Sequence, residues 1–196
     1  MFFTQKKTVA IRARKLHSIH GLLSGKSFVG KIEAGNLAHE FVYAMQGATV
    51  VNGKLELTGR VSVKTSSGKT AAAEKVKATL RGVQAAIGAA QKPASFKLTA
   101  PSAFAADAQD DKPLTEFTNG RSSLGVIYLA LSALDGKALG VPFDLNAVQL
   151  NGRITAVDQT ARDLQWLFNQ TAAALESNQA SVAEPYVTEI DRVLRA

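Results

Sequence analysis

Residues 48–58 have the sequence ATVVNGKLELT, in which Asn52 and Gly53 separate two short runs of strand-forming residues. An Asn-Gly pair in this position is the strongest local signal for a β-hairpin, because both residues tolerate the positive φ angles of a type I′ turn. After the turn, apolar residues alternate with polar ones from Leu55 to Val63. This alternation is typical of a strand with one packed face and one hydrated face, so the sequence predicts antiparallel β structure here.

Other segments extend the β prediction in both directions. Apolar runs rich in β-formers occur at 28–32, 40–45 and 126–129, and Asn151-Gly152 predicts a second hairpin. Residues 71–88 fit either a helical stripe or a strand, and we favour the strand because Gly82 and Gly88 would each cost a helix about 1 kcal/mol.

The segment from Lys54 to Leu80 also carries a family resemblance. It contains the strand pattern Leu55-Glu56-Leu57-Thr58-Gly59-Arg60-Val61-Ser62-Val63, then a polar turn, then a second alternating run over residues 73–80. This pattern resembles a repeat unit of the lipopolysaccharide-transport β-jelly-roll family. In that family such strand pairs stack into an open jelly roll that shields acyl chains. The resemblance therefore implies a lipid-binding or lipid-transport β-domain as one functional alternative.

The carboxyl-terminal end has helical periodicity. Apolar or small residues from Leu164 to Leu175 form one stripe, and Thr160 with Asp163 resembles a capping pair. Pro185 is expected at the first position of a second helix, with Arg192 and Arg195 in its last turn.

The fold class predicted from these patterns is α+β, with strands and helices segregated along the chain. We expect a mainly antiparallel, sandwich- or barrel-like β body over residues 27–157, followed by two C-terminal helices within 158–196, all in one domain. Residues 1–26 are expected to be a basic N-terminal arm or a first strand, with alternating apolar and cationic residues over 8–14. Residues 94–120, rich in Pro, Ala and Asp, are expected to form a long surface loop.

Charge is divided between the two halves of the chain. Residues 1–100 contain 16 Lys and Arg against 4 Asp and Glu, whereas residues 101–196 contain 7 against 12. Net charges of +12 and −5 suggest that the amino-terminal half faces a polyanion or an acidic protein surface.

Signatures of catalysis are weak throughout the sequence. The chain has no cysteine, which excludes disulfides, thiolate metal ligands and cysteine nucleophiles. Ser67-Gly68-Lys69-Thr70 matches the end of a phosphate-binding loop, but Val63 stands where the motif needs its first glycine, so a polar hairpin turn is expected. No Gly-x-Ser-x-Gly motif is present. We therefore expect a non-enzymatic protein without a cofactor.

Three histidines, His17, His20 and His39, are the only weak candidates for metal ligands, and we expect no metal because zinc motifs need paired spacings. No run of 18 apolar residues is present, which excludes a membrane-spanning helix, and residues 1–25 lack the continuous apolar stretch of a secretory signal. The same residues partly match an organelle transit peptide, and that alternative stays open beside the cytoplasmic location that we expect.

The leading functional hypothesis is a binding or assembly protein, as a subunit or accessory factor of a larger complex. Its partner would be an anionic protein surface, nucleic acid or anionic lipid, or a second copy joined through basic and acidic halves. The residues expected to contact that partner are all basic: Lys6, Lys7, Arg12, Arg14, Lys15, Lys75, Lys77 and Arg81.

Two alternatives stay open at this point. A nucleic-acid-binding protein would use these cations for phosphates and would need aromatic platforms, for which Phe41 and Tyr43 share strand parity. A lipid carrier would need an apolar cavity inside the sheet, although the same residues would equally fill a core.

Overall fold

The computed structural model describes residues 17–85, 123–155 and 157–196. Seven strands are followed by two helices in these ranges. The strands are β1 (His17–Ser24), β2 (Ser27–Ala34), β3 (Leu37–Val51), β4 (Lys54–Lys64), β5 (Thr70–Ala85), β6 (Ser123–Leu131) and β7 (Val148–Thr155). The helices are α1 (Gln159–Glu176) and α2 (Ala180–Arg195).

The seven strands form a closed barrel in which each strand pairs with its neighbours in sequence. All sequential pairs are antiparallel, and the barrel is closed by parallel pairing of β1 with β7. The predicted α+β class, with a barrel-like β body and two C-terminal helices, is confirmed. The β body begins at His17, inside the segment that the sequence assigned to an arm or first strand.

The barrel interior is filled with side chains. Along β4 the residues from Leu55 to Val63 alternate between buried and partly or fully exposed, as the sequence predicts. The same alternation on the other strands brings large side chains together in the centre. The fully buried ones include Leu23, Phe28, Phe41, Tyr43, Leu57, Ile127, Leu129 and Leu150. A barrel of this strand number is just wide enough for its own side chains, so they form the hydrophobic core.

The two Asn-Gly pairs have different structures. Asn52 and Gly53 have φ angles of 50° and 70° and join β3 to β4, which confirms the first hairpin. Asn151 and Gly152 lie inside β7, so the second predicted hairpin is wrong. A Cβ atom on Gly152 would lie 3.1 Å from a ring carbon of Phe28 and 3.2 Å from a side-chain carbon of Ile127, so this glycine sits in closely packed surroundings.

The ambiguous segment at 71–88 is a strand as far as it is described, because β5 extends from Thr70 to Ala85. It pairs with β4 on one side and β6 on the other. The predicted loop at 94–120 and the predicted strand at 8–14 lie outside the described residues.

Different elements cover the two ends of the barrel. The helices pack at the end where β1 meets β2 and where β3 meets β4. The segment between β6 and β7 covers the other end with the buried residues Leu134, Leu139, Val141 and Leu145. There the ring of His17 stacks on Phe143 at 5.1 Å.

Both helices begin at positions other than those predicted. The N-cap of α1 is Asp158 and not Thr160, because the Asp158 carboxylate accepts a hydrogen bond from Ala161 N at 2.9 Å. Helix α2 begins at Ala180, so Pro185 lies inside the helix and not at its first position. Its Arg192 and Arg195 lie in the last turn as expected, where cations favour the helix dipole.

The turn between β1 and β2 fixes the helices to the barrel. The backbone amide of Gly25 donates to the second carboxylate oxygen of Asp158 at 2.7 Å. Lys26 Nζ donates to the carbonyl of Leu194 near the end of α2 at 3.3 Å. Helix α2 makes its own connection, because Asp191 accepts a hydrogen bond from Ala48 N at 3.1 Å. Two carboxylates and one ammonium group therefore link the helical layer to the strand ends.

Substitution of Asp158 by Ala is expected to lower the free energy of unfolding by about 2–4 kcal/mol, because it removes a helix cap and a charged acceptor for Gly25. Asp158→Asn retains one acceptor oxygen and is expected to lose about half as much. Urea unfolding followed by fluorescence of Trp166, the single tryptophan, measures both values.

Asp163→Ala is the matched control, since Asp163 lies in the first turns of α1 and, among the described residues, accepts a hydrogen bond from the side chain of Gln159. It is expected to change the unfolding free energy by less than about 0.5 kcal/mol. Equal losses for Asp163→Ala and Asp158→Ala would contradict the assignment of Asp158 as the cap.

Candidate functional site

Most of the described basic side chains of the amino-terminal half lie on one surface of the barrel. This surface is the outer face of β4, β5 and the turn that connects them. All seven of its Lys and Arg residues are exposed: Lys54, Arg60, Lys64, Lys69, Lys75, Lys77 and Arg81. We call this set the cationic face. It arises because β4 and β5 pair antiparallel with their polar positions directed outward, so the basic residues of both strands lie on one side.

Acidic side chains neutralise only part of the cationic face. Residues 54–81 contain two carboxylates, Glu56 and Glu74. Glu56 pairs with Lys77 at 2.8 Å, and Glu74 pairs with Arg60 at 3.0 Å. Within the described part of the chain, the remaining five cations of the face form no ion pair. The face therefore retains positive charge that is available to a partner.

Two irregularities of β5 each place a cation outward. The register between β4 and β5 shifts so that Glu74 and Lys75 together lie opposite Arg60, and Lys75 adopts a φ of 56°. The register between β5 and β6 shifts at Arg81. Bulges turn a side chain away from the regular pleat, and a lysine in the left-handed region costs about 1–2 kcal/mol. The sequence thus tolerates local strain at a position on the cationic face.

The sequence-predicted contact residues fall into two groups. Lys75, Lys77 and Arg81 are brought together on β5. Lys6, Lys7, Arg12, Arg14 and Lys15 lie outside the described residues. The site prediction omitted the basic residues of β4 and of the turn, although their alternation with Leu55, Leu57 and Val61 already marked them as outward-facing.

The three histidines do not converge. His20 is exposed on β1, whereas His39 is 4% exposed on β3 and faces the interior, where its Nδ1 has no hydrogen-bond partner among the described residues. His17 stacks on Phe143 at the barrel end. Among residues 17–85, 123–155 and 157–196, no group of three His, Asp or Glu side chains is arranged to hold a metal ion.

The aromatic residues considered as base-stacking platforms are part of the core. Phe41 and Tyr43 are both fully buried. The Tyr43 hydroxyl donates to the carbonyl oxygens of Leu57 and Val76, at 3.1 and 3.2 Å. Burial, together with the nearby carboxylate of Glu56, raises the pKa of Tyr43 far above its ordinary value. The hydroxyl therefore acts as a neutral structural bridge between β3, β4 and β5.

A cleft of about 380 Å³ opens where the cationic face meets helix α1. Lys54 and Arg81 flank it on the barrel side, Leu55 and Leu80 form its floor, and Glu176 lies on the helix side. Its volume is at the lower end of the range of about 300–1,000 Å³ that small-ligand pockets occupy. A second opening of about 400 Å³ lies where α2 meets β3, beside Asp191 and Arg195. Those two side chains pair with each other at 2.7 Å.

None of the helices in the described ranges is long and apolar enough to cross a membrane. The chain matches no protein-family model, no curated protein and no solved structure. The resemblance of residues 54–80 to the lipopolysaccharide-transport family therefore stays a prediction, and the functional argument rests on the geometry of the cationic face.

Lys75→Gly is expected to raise the free energy of unfolding by about 0.5–1 kcal/mol, because glycine adopts the positive φ without a Cβ penalty. Thr79→Gly on the same strand, where φ is not positive, is expected to lower it by about 1 kcal/mol. Urea unfolding with tryptophan fluorescence compares the two. Destabilisation of both variants to the same extent would contradict the bulge at Lys75.

Proposed function

We propose that this protein is a non-enzymatic binding or assembly protein that engages an acidic protein surface through its cationic face. One observation carries the proposal: seven exposed cations lie on one strand pair, and only two of them are neutralised by neighbouring carboxylates. A cluster of this kind attracts an anionic partner over a distance and favours its correct orientation on contact.

The rigidity of the scaffold supports this role. The basic residues of β4 and β5 project from hydrogen-bonded strands of a closed barrel, so the backbone positions that carry them are fixed before binding. A preorganised surface loses less conformational entropy on association than a flexible one. Fixed spacing also allows several cations to contact a complementary acidic surface at the same time.

The competing functions receive less support from the same residues. A nucleic-acid-binding sheet normally presents aromatic rings to the bases, and Phe41 and Tyr43 are buried in the core. A lipid carrier needs an apolar cavity, and large side chains occupy the centre of the barrel. An acidic protein surface needs neither feature. A second copy of the chain is one source of such a surface, since residues 101–196 carry the net negative charge.

The experiment that tests the proposal measures binding of labelled polyglutamate by fluorescence anisotropy over a series of salt concentrations. The triple variant Lys54→Glu, Lys75→Glu and Arg81→Glu is expected to bind at least about tenfold more weakly than the wild type at low salt. Salt is expected to weaken wild-type binding steeply, because it screens exposed charges. Light scattering on the same samples reports whether the chain binds a second copy of itself.

The matched control is Lys31→Glu, Lys137→Glu and Arg153→Glu, which makes the same change in net charge at exposed positions outside the cationic face. It is expected to keep polyglutamate affinity within about threefold of the wild type, since only long-range attraction changes. Equal losses in both triple variants would show that net charge and not the face governs binding. Tighter binding to a single-stranded oligonucleotide of equal charge would favour the nucleic-acid alternative.

A further inference from the structure

The cleft beside helix α1 combines two properties that the rest of the cationic face lacks. Its barrel-side wall carries Lys54 and Arg81, and its floor is made by Leu55 and Leu80, with Leu175 of α1 beside them. Exposed positive charge and apolar surface therefore lie next to each other in one depression of about 380 Å³.

The two cations of the cleft come from adjacent strands. Lys54 is the first residue of β4 and Arg81 lies on β5, and both line the same depression. Like charges that share one cleft repel each other. Among the described residues neither cation has an ion-pair partner, and Glu176 across the cleft pairs with neither of them. An added carboxylate between Lys54 and Arg81 would relieve this repulsion.

The apolar residues of the cleft favour contact with an apolar side chain, not with a carboxylate. Leu55 and Leu80 are 2% and 8% exposed and have little surface left to cover, whereas Ala172 and Leu175 of α1 are half-buried and present apolar surface to the cleft. A single aliphatic side chain seated against Ala172 and Leu175 would remove part of that surface from water. Interfaces commonly concentrate their affinity in a few buried side chains surrounded by polar contacts.

We propose that the cleft receives an apolar anchor side chain from an acidic peptide segment of the partner, while a neighbouring carboxylate of that segment contacts Lys54 and Arg81. This inference rests on the proposed function, because it identifies which part of an acidic partner the cationic face selects. Glu176 repels carboxylates on the helix side, so the acidic residue lies toward the barrel and the peptide has one preferred orientation.

Two fluorescently labelled peptides test the anchor directly on the wild-type protein. Both carry glutamates on each side of a central residue, which is leucine in one and serine in the other, so their charges are equal. The leucine peptide is expected to bind about five- to tenfold more tightly, the gain from partial burial of one aliphatic side chain. Both are expected to weaken with salt.

Ala172→Leu tests the location, since Ala172 lines the cleft on α1 and a larger side chain fills it without changing charge. In this variant the leucine peptide is expected to lose its advantage, and the serine peptide to keep its affinity. Urea unfolding verifies that the variant is folded. The Leu/Ser comparison on the wild-type protein does not depend on the variant.

The outcomes separate the two proposals. Equal, salt-dependent binding of both peptides to the wild type would overturn the anchor and leave the cationic face as the binding surface. A leucine advantage that persists in Ala172→Leu would overturn the assignment to this cleft. If neither peptide binds at low salt, the proposed function fails together with the inference.

Discussion

The parallel pairing of β1 with β7 is the constraint on which the other features of this structure depend. In a meander each strand reverses the direction of the one before it, so the first and seventh strands run the same way and their contact is parallel. With this contact formed, every described strand has two neighbours over part or all of its length. Where both edges of a strand are paired, a partner has no edge to extend and recognition depends on side chains.

The interior of this narrow barrel is filled by its own side chains, and the charged side chains lie on the outer surface. The backbone of Gly59 lies close to β3, since a Cβ atom on it would be 2.3 Å from the Ala44 carbonyl oxygen. The absence of a Cβ atom at this position allows the ring of Tyr43 to cross the interior. The Tyr43 hydroxyl donates there to the carbonyl oxygens of Leu57 and Val76, the second of which lies beside the bulge of β5. Interior positions are occupied by packing and hydrogen bonding, so outward positions are where the chain carries its charged, accessible groups.

Local features of the fold were predictable from sequence where one physical requirement dominates. The alternation from Leu55 to Val63 identified β4 because only one face of the strand is buried. The Asn52-Gly53 turn was predictable for a similar reason, whereas Asn151-Gly152 shows that the same pair also occurs inside a strand that packs closely against the ring of Phe28. The bulges that direct Lys75 and Arg81 outward depend on register with two other strands, and no local pattern specifies that register. Barrel closure and the cleft beside α1 are likewise products of contacts distant in sequence.

The carboxylate of Asp158 has a consequence for how this chain reaches its native state. Its contact with Gly25 joins residues 133 positions apart, and the pairing of β1 with β7 spans a similar separation. Contacts of this range require a large loss of chain entropy before they stabilise anything, which slows folding. During synthesis β1 therefore has no parallel partner until the residues of β7, Val148–Thr155, have emerged. The inward-facing Leu23 and Phe28 of β1 and β2, buried in the closed barrel, lack their full set of core neighbours during that interval, and exposed apolar side chains of this kind favour association of nascent chains.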